Sequence, residues 1–402
     1  MPLALYLLAL TTFAMGTSEF MLAGLVPEIA DGLGVPVGTA GLLTSAFAVG
    51  MMAGAPLMAA LARRWPARRT LLGCVAVFAL GHVVAAVAPG FALLFAARVL
   101  AALANAGFLA VAIGTAVGLV APDRKGRALA VLLAGTTLAT VAGVPAGALL
   151  GAALGWRATF WAIALLCLLA ALGIVRGVPA RSAPTEEDLA AGPSLRTELA
   201  QLREPRLMVA MLLGALVNGG TFAAFTFLAP VVTDVAGLDE LWVPLALVLF
   251  GAGSFVGVTL AGRLSDRRPG LVAGLGSPLL LLGWVLLAML AAHPVALLVA
   301  VFVQGALAFA VGSTWIARVL YAASGAPTMA GSYATAALNA GAAAGPALGA
   351  LAISGSGELG PVWTAAGLSA VSLVVMTAAR PARGRVRRPA GSASTAPSRT
   401  RR

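Results

Sequence analysis

The stretch that decides the fold is Thr11–Val26, TTFAMGTSEFMLAGLV, because it places a carboxyl group inside an apolar segment. Between Met1 and Pro27, Glu19 is the only charged side chain. A charged group at the centre of a bilayer costs roughly 2.5–3.5 kcal/mol on insertion scales, and it persists where it faces a polar cavity or binds a proton. The stretch therefore indicates a proton-binding or substrate-facing carboxyl. The alternative is a Glu that is capped by neighbouring Ser and Thr groups or lies near the outer interface.

The composition places the rest of the chain in a membrane as well. Of the 402 residues, 60% are hydrophobic and 10% are charged, whereas a soluble domain has about 25% charged residues. Runs of about 20 apolar residues predict membrane-spanning helices. They occur at 3–26, 39–61, 70–88, 91–119, 128–153, 158–178, 207–232, 241–262, 271–291, 294–317, 329–353 and 361–379. We therefore predict an all-α membrane protein with twelve transmembrane helices.

Basic side chains fall almost entirely in one set of the connecting loops. These loops contain Arg63, Arg64, Arg68, Arg69, Arg124, Lys125, Arg127, Arg263, Arg267, Arg268 and Arg318. The opposite loops contain Glu28, Asp31, Asp234, Asp239, Glu240 and Glu358. Because Lys and Arg accumulate in cytoplasmic loops, we expect both termini in the cytoplasm. This topology accounts for the net charge of +12, so we expect no nucleic-acid partner, and we expect the Arg-rich tail to contact lipid headgroups.

A long polar stretch divides the apolar segments into two sets of six. Several loop residues of the two sets are separated by a constant 203 positions: Pro27 and Pro230, Asp31 and Asp234, Leu61 and Leu264, Arg64 and Arg267, Pro66 and Pro269. A constant offset predicts a duplication, and two repeats with an even number of spans are related by an axis along the membrane normal. We predict an N-terminal half at 1–178, a cytoplasmic linker at 179–205, a C-terminal half at 206–379 and a basic tail at 380–402. Within the linker, 195–203 could form a short surface helix.

The loop after the eighth segment carries a known signature. Its sequence GRLSDRRPG, from Gly262 through Asp266 and Arg267 to Gly270, resembles the G-x-L-A-D-R-x-G-R-K loop of the major facilitator superfamily. The first-half copy has Arg63 in the Asp position, so the resemblance implies more conformational control from the second copy.

Two helices carry further signatures of the same superfamily. Arg98 in segment four resembles an R-x-x-x-G pattern, with Ala102 in the Gly position. Segment five contains Gly143, Pro145 and Gly147 in GVPAGALLG, which resembles the drug/proton antiporter signature. Proline and glycine in such a helix allow bending and close packing. The resemblance extends over the whole chain and implies two six-helix halves with segments one, four, seven and ten around a central cavity.

Longer stretches resemble one branch of that superfamily. They are TSEFMLAGLVPEIADGLGV, ALANAGFLAVA, LNAGAAAGP and MLLGALVNGGTFAAFTFLAPVVTDVAGL. They look like the actinobacterial chloramphenicol resistance exporters. The resemblance implies proton-coupled efflux of chloramphenicol-like drugs by alternating access, in a multi-pass protein of the bacterial cytoplasmic membrane.

Helical spacing then selects the side chains that share a face. We expect Glu19 and Arg98 to couple protons. Arg98 needs a partner, which Glu19 or backbone carbonyls could supply, unless its side chain reaches a nearby interface. The candidate substrate-binding residues are Thr12, Asn105, Asn218, Phe222, Phe225, Gln304 and Asn339. For each amide, interhelical hydrogen bonding is an equal alternative, and the two Phe side chains could instead face lipid.

Other chemistry finds little support in the sequence. The chain has no G-x-x-x-x-G-K-[ST] motif for ATP, so we expect an ion gradient, most simply of protons, to supply energy. Nothing predicts a metal site or another cofactor, and the absence of a nucleophile–base pair argues against an enzyme. His82 and His293 are expected to be packing or interfacial residues. An exporter of sugars or another metabolite, and a non-transporting sensor or scaffold, remain as alternative functions. We expect a monomer whose partners are the drug, protons and membrane lipids.

Overall fold

Twelve long helices form the part of the chain that the computed structural model describes, which is residues 2–121, 124–180, 194–267 and 270–379. We number them α1 to α12. They are α1 Leu3–Phe20, α2 Val37–Leu61, α3 Ala67–Val87, α4 Phe91–Gly118, α5 Lys125–Leu138 with Val144–Leu154, α6 Trp156–Gly177, α7 Pro205–Thr226, α8 Trp242–Arg267, α9 Ser277–Leu290, α10 Pro294–Ala322, α11 Ala330–Ser356 and α12 Gly360–Ala378. The predicted fold class is confirmed.

Length and hydropathy agree with this architecture. Within the described residues, eleven stretches are long and apolar enough to cross a membrane, and the last of them, Ala330–Ala378, contains both α11 and α12. Proline occupies a first-turn position of α7, α10 and α12. There its missing N–H costs nothing, because the first N–H groups of a helix have no intrahelical partner.

Helix α5 is interrupted in its middle. A π-helical turn at Ala139–Gly143 separates its two parts, and Pro145 lies in the first turn of the second part. Proline cannot donate the hydrogen bond to the preceding turn, and a π-helical turn is one way in which a helix accommodates that loss. The Gly–Pro signature of segment five therefore coincides with a local change of helix geometry.

Two hydrophobic cores lie side by side. The first is formed by buried residues of α1 to α6 and of the segment between α1 and α2, and it also takes in Phe227. The second is formed by buried residues of the last six long helices, together with Ala23, Val144 and Ala148 from the first six. Few residues are shared between the cores, so each set of six helices has a largely separate interior.

The two sets meet closely at one end of the molecule, which we call the acidic end because Glu28, Asp31 and Asp234 lie there. Phe227, at the end of α7, is fully buried between Gly41 of α2 and Gly349 of α11. A Cβ atom at Gly41 would collide with the Phe227 ring. Glycine at this position therefore allows helices of both sets to close over the ring.

The opposite end, which we call the basic end, contains Arg64, Arg68 and Arg69. A cavity of about 610 Å³ lies there between α2, α4 and α11. Its lining includes Met51, Met58, Trp65, Thr115, Ser332 and Thr335. The structure is thus packed across the two sets at the acidic end and hollow between them at the basic end.

The predicted linker helix forms at Leu195–Ala200 and continues as a 3₁₀ turn at Gln201–Arg203. It is anchored more deeply than a surface helix. The Glu198 side chain is fully buried, and its Oε2 atom accepts hydrogen bonds from the backbone N–H groups of Thr328 and Met329, at 3.0 and 2.8 Å. The linker segment is therefore fixed to the connection between α10 and α11. The rest of the predicted linker, at 181–193, and the tail at 380–402 lie outside the described residues.

Candidate functional site

The first candidate feature is a buried chain of polar side chains around Arg98. Arg98 of α4 is 1% exposed, and its Nη1 atom donates a hydrogen bond to Ser18 Oγ of α1 at 2.8 Å. Ser18 Oγ is also 2.6 Å from His82 Nε2 of α3, and His82 Nδ1 is 2.8 Å from the Phe78 carbonyl oxygen. The Arg98 guanidinium lies over the Phe47 ring, with its carbon 4.4 Å from the ring centroid. Four helix positions on three helices thus combine to hold one cation.

This arrangement differs from both partners expected for Arg98. No ion pair within 4 Å joins Glu19 and Arg98 in the described structure, and Arg98 donates to a hydroxyl rather than to a backbone carbonyl. Nor does the side chain reach an interface, because it is almost fully buried. Its Nε and Nη2 atoms have no hydrogen-bond partner. Glu19 is the residue after Ser18, so the guanidinium keeps unused donors near the part of α1 that carries the carboxyl group.

The second feature is a cluster of aromatic rings next to Glu19. Phe20 of α1 has its ring centroid 5.8 Å from that of Phe222 and 6.4 Å from that of Phe225, both on α7. Phe225 continues the cluster to Phe250 of α8 at 4.7 Å, and Phe250 continues it to Phe309 of α10 at 6.1 Å. Phe222 and Phe225 are buried, so they do not face lipid. The cluster joins the two sets of helices.

Hydroxyl groups accompany these rings. A cavity of about 10 Å³ is lined by the rings of the cluster and by Thr140, Thr221 and Ser254. The centre of the molecule is therefore closely packed in this conformation, and it offers apolar faces with a few hydroxyls.

Two predicted amide side chains bind backbone groups of neighbouring helices. Asn218 Nδ2 donates to the Leu338 carbonyl of α11 at 2.8 Å, and Gln304 Nε2 donates to the Leu280 carbonyl of α9 at 3.3 Å. Such bonds match the interhelical alternative considered for them. Gln304 also lies beside Phe225 at a second cavity of about 10 Å³, where its Oε1 atom has no partner.

The other predicted polar residues make local contacts or none. Asn339 Nδ2 donates to the Thr335 carbonyl one turn earlier at 2.9 Å, and Thr12 Oγ1 donates to the Leu8 carbonyl at 3.0 Å. Asn105 is buried, and its Oδ1 atom has no partner. The structure brings Phe222 and Phe225 next to Phe20, the residue after Glu19, whereas Thr12 and Asn339 do not line the cavity at the ring cluster.

The residues of the segment-five signature pack against α1. A Cβ atom at Gly143 would collide with Thr17 Oγ1, and one at Gly147 would lie 3.4 Å from the Met21 Cβ. Pro145 is buried between these glycines. The interrupted part of α5 therefore supports the helix that carries Ser18 and Glu19. In the loop signature, Gly262 is exposed at the basic end, while the side chains of Asp266 and Arg267 lie outside the described residues.

Sequence reasoning missed Ser18, His82 and three rings of the aromatic cluster. Ser18 and His82 are 64 residues apart, so spacing along one helix does not relate them. Phe250 and Phe309 lie in apolar segments, where a Phe is indistinguishable from a lipid-facing residue without the packing. The one available signal was that His82 is an ionisable residue within a predicted span, which is a functional candidate by default.

Comparison with known proteins adds independent information. The sequence profile described as Major Facilitator Superfamily matches residues 8–336. A chloramphenicol resistance protein of Streptomyces lividans is 66% identical over 376 residues, covering 93% of this chain and 95% of that protein. The inner membrane transport protein YdhP of Escherichia coli (strain K12) is 36% identical over 350 residues, covering 86% of this chain and 88% of that protein.

A solved structure supports the same assignment at the level of the fold. A bacterial homologue of the human lysosomal transporter Spinster, in an inward-facing and unoccupied conformation, aligns with a TM-score of 0.72 and covers 94% of each chain. Because the sequence identity is 17%, this similarity supports the fold alone. With twelve long helices and a profile match over most of the sequence, the resemblance found in the loop and helix signatures is confirmed. This multi-pass membrane protein belongs to the Major Facilitator Superfamily, a family of transporters of small molecules.

Proposed function

We propose that this protein exports uncharged, partly aromatic drugs of the chloramphenicol type in exchange for protons. The observation that carries the proposal is the 66% identity to the Streptomyces lividans chloramphenicol resistance protein over nearly the full length of both chains. Chloramphenicol itself combines an aromatic ring with hydroxyl and amide groups and carries no charge.

The chemistry of the centre suits such a molecule. Ligand sites are mostly apolar, with a few polar groups that fix orientation. The cluster of Phe20, Phe222, Phe225, Phe250 and Phe309 supplies ring faces, and nearby Thr and Ser hydroxyls supply hydrogen bonds. Rings of a bound drug would pack among these side chains once the two sets of helices separate around them.

The route of entry follows from the cavity between α2, α4 and α11 at the basic end. Its volume of about 610 Å³ falls within the range of about 300–1,000 Å³ for drug-sized ligands. We propose that the basic end faces the cytoplasm, as Lys and Arg distribution favours, in the bacterial cytoplasmic membrane. Drug would then enter from the cytoplasm or the inner leaflet. Halves 1–178 and 206–379 of a single monomer would rock to open the acidic end, while the tail at 380–402 contacts lipid headgroups.

Proton coupling is proposed to reside in Glu19 and Arg98. Glu19 follows Ser18 on α1 and precedes Phe20 of the ring cluster, so a change in its charge occurs between the polar chain and the aromatic site. Binding of a proton would neutralise the carboxyl, and its release would leave a carboxylate beside a buried guanidinium with unused donors. Each state favours a different arrangement of the surrounding helices, which is what coupling requires.

One observation keeps a second candidate, an exporter of sugars or another hydroxyl-rich metabolite. The Oδ1 atom of Asn105 and the Oε1 atom of Gln304 are buried and lack partners. Amide oxygens accept hydrogen bonds from hydroxyl groups, so these two could bind a sugar. No charged side chain lines the two small cavities at Gln304 and at the ring cluster, which favours the drug.

The test is drug accumulation in a susceptible bacterial host that lacks its own exporters. Cells expressing the wild-type chain should hold several-fold less labelled chloramphenicol than cells with an empty vector, and a protonophore should abolish the difference. Arabinose and related sugars, measured in the same cells, test the second candidate. Equal chloramphenicol levels in both strains at verified membrane expression would contradict the proposed substrate. An undiminished difference with the protonophore would contradict proton coupling.

A further inference from the structure

The polar chain that ends at Arg98 has a direction that its chemistry fixes. The Phe78 carbonyl can only accept, so His82 Nδ1 must carry the hydrogen in the 2.8 Å contact between them. In a neutral imidazole the other nitrogen then accepts, so the Ser18 hydroxyl donates to His82 Nε2. The free lone pairs of Ser18 Oγ in turn accept from Arg98 Nη1. Every bond is satisfied in the order Arg98, Ser18, His82, Phe78.

A protonated His82 would break this order. Its Nε2–H would donate to Ser18 Oγ, so the hydroxyl would receive two donors and its own hydrogen would lose its acceptor. A second cation would also lie within two hydrogen bonds of the Arg98 guanidinium, in a region from which water is excluded. The two hydrogen-bond partners of the imidazole, Ser18 and the Phe78 carbonyl, carry no charge. The rings of Phe78 and Phe160, with centroids at 4.3 and 5.8 Å, attract a cation much less strongly than a carboxylate would. His82 is therefore held as a neutral acceptor.

The consequence for Arg98 is that only some of the N–H groups of its guanidinium are occupied. Ser18 occupies one end of the guanidinium, and Phe47 covers a face. Nε and Nη2 remain without partners, and Glu19 is the residue after Ser18, the side chain that binds Nη1. A guanidinium binds a carboxylate best through two parallel N–H groups, and Nε with Nη2 is such a pair. Anchoring Nη1 elsewhere leaves that pair unoccupied.

We propose that His82 is a positioning residue for proton coupling: acting through Ser18, it holds Arg98 with Nε and Nη2 ready to receive the Glu19 carboxylate when the carboxyl releases its proton. This inference rests on the proposed function and adds two residues to it. In this role His82 stays neutral and neither gains nor loses the transported proton. It determines where the Arg98 charge lies, and Ser18 transmits that constraint from α3 to α4.

Substitutions of His82 distinguish a residue that positions Arg98 from a residue that itself binds and releases the transported proton. Glutamine has no titratable group, but its amide oxygen can reach the place of the imidazole Nε2 and accept from Ser18, whereas leucine fills space and accepts nothing. In proteoliposomes containing the full-length protein, His82→Leu should lower the turnover of chloramphenicol–proton exchange about tenfold, the scale of leaving one buried donor, the Ser18 hydroxyl, without its acceptor. His82→Gln should retain at least half of the wild-type turnover.

Ser18→Ala removes the same connection with a smaller change in volume. It should lower turnover as His82→Leu does. The double variant should be no worse than either single variant, because both changes interrupt the same series of hydrogen bonds. Chloramphenicol affinity, measured by equilibrium binding to the purified protein, should stay within about twofold in all of them. A loss of turnover without a loss of affinity is not expected from general damage to packing.

Two matched controls complete the test. Phe160→Leu removes a ring next to His82 without touching the chain, and Ser369→Ala removes a buried serine hydroxyl in the other half that has no hydrogen-bond partner. Both should keep most of the wild-type turnover.

The inference is overturned if the turnover of His82→Gln is as low as that of His82→Leu, since His82 would then carry the transported proton. It is overturned equally if Ser18→Ala matches wild type, or if Phe160→Leu loses as much as His82→Leu. A wild type that exchanges no chloramphenicol for protons would instead refute the proposed function, and this inference with it.

Discussion

The first and last six helices follow one plan but differ in the polarity of their interiors. The offset of 203 that relates the loops of the two halves pairs Glu19 with Phe222 and Ser18 with Thr221. Arg98 pairs with Val301 at the same offset. The first half therefore holds a carboxyl and a guanidinium where the second half holds a ring and an aliphatic side chain, while both halves hold a hydroxyl at the third paired position. Phe222 nevertheless packs against Phe20, the residue that follows its paired position Glu19.

This difference shows how a duplicated fold divides two tasks. A buried charge is costly, and a protein tolerates it only where several groups stabilise it. In the first half, Ser18, His82 and Phe47 together stabilise the single guanidinium of Arg98. A second copy of that cluster would double the cost without a second use. The other half is thereby free to present rings. We expect proton chemistry to depend on the first half and recognition of an apolar drug to depend largely on the second.

Substitution of Glu19 should have the largest effect. Glu19→Gln retains the size of the side chain but fixes it in a neutral form, so the proton cycle is lost. We expect at least about a hundredfold loss of gradient-driven efflux, as typical for removal of a group that must gain and lose a proton. The measurement is the rate of labelled chloramphenicol export from preloaded cells at equal membrane expression. Phe222→Leu, at the paired position, should retain measurable export. Full export by Glu19→Gln would remove the proposed division of tasks.

Substitutions in the ring cluster should act on affinity. Phe222→Ala and Phe225→Ala remove ring contacts with Phe20 and Phe250. Aromatic pairs contribute about 0.5–1.5 kcal/mol beyond area burial, so we expect chloramphenicol to bind about tenfold more weakly. Maximal exchange at saturating drug should change little.

Phe255→Ala provides the matched control for the ring substitutions. Phe255 lies on α8 as Phe250 does, but it is 55% exposed and lies outside the cluster. Its loss should leave drug affinity unchanged. If Phe255→Ala weakened binding as much as Phe225→Ala, the aromatic cluster would not be the site that distinguishes the second half.

The sequence predicted the helices well because hydrocarbon thickness sets their length. The fourth segment, expected at 91–119, is found at Phe91–Gly118, and the tenth continues five residues beyond its expected end at 317, to Ala322. Hydropathy cannot locate an end where basic residues such as Arg318 follow apolar ones. Hydropathy also could not predict the π-helical turn before Pro145, since a proline indicates a disturbed helix without specifying the form of the disturbance.

The site was predictable only in part. Composition identified Glu19 and Arg98, because charges in apolar runs are conspicuous, but their surroundings depend on how helices rotate against one another. The sequence suggested neighbouring Ser and Thr groups as possible caps for Glu19, whereas the neighbouring Ser18 binds Arg98 and His82. Asn218 and Gln304 bond to carbonyls of helices distant in the chain. Spacing within one helix carries no information on such partners. The offset of 203, already visible in the loops, does pair Glu19 with Phe222.

The smallest effect is expected at the acidic end, where the two halves present like charges to each other. Glu28 precedes α2 in the first half, and Glu240 precedes α8 in the second. Burial, and then repulsion by Glu240, raise the pKa of Glu28 above its ordinary value of 4.5. The folded protein therefore binds this proton more tightly than the unfolded chain does. Its contribution to stability is full below pH 4.5 and is lost as the pH rises through the raised pKa.

Glu28→Gln removes that pH dependence and keeps the shape of the side chain. The variant should match wild type in thermal unfolding near pH 4 and exceed it slightly at pH 7, by about 0.5 kcal/mol or less, because the carboxyl is partly exposed and solvent screens it. Intrinsic fluorescence of detergent-purified protein during heating measures the difference. Asp31→Asn is the control, because Asp31 is an exposed carboxyl on the same short helix as Glu28, Val26–Leu33, between α1 and α2. It should change stability at neither pH. Glu240→Gln should reproduce part of the gain, since it removes the repulsion but not the burial. If Glu28→Gln instead lost stability at pH 7, the ionised carboxyl would have a stabilising partner at the acidic end, and the halves would be joined there by attraction rather than by the Phe227 contact alone.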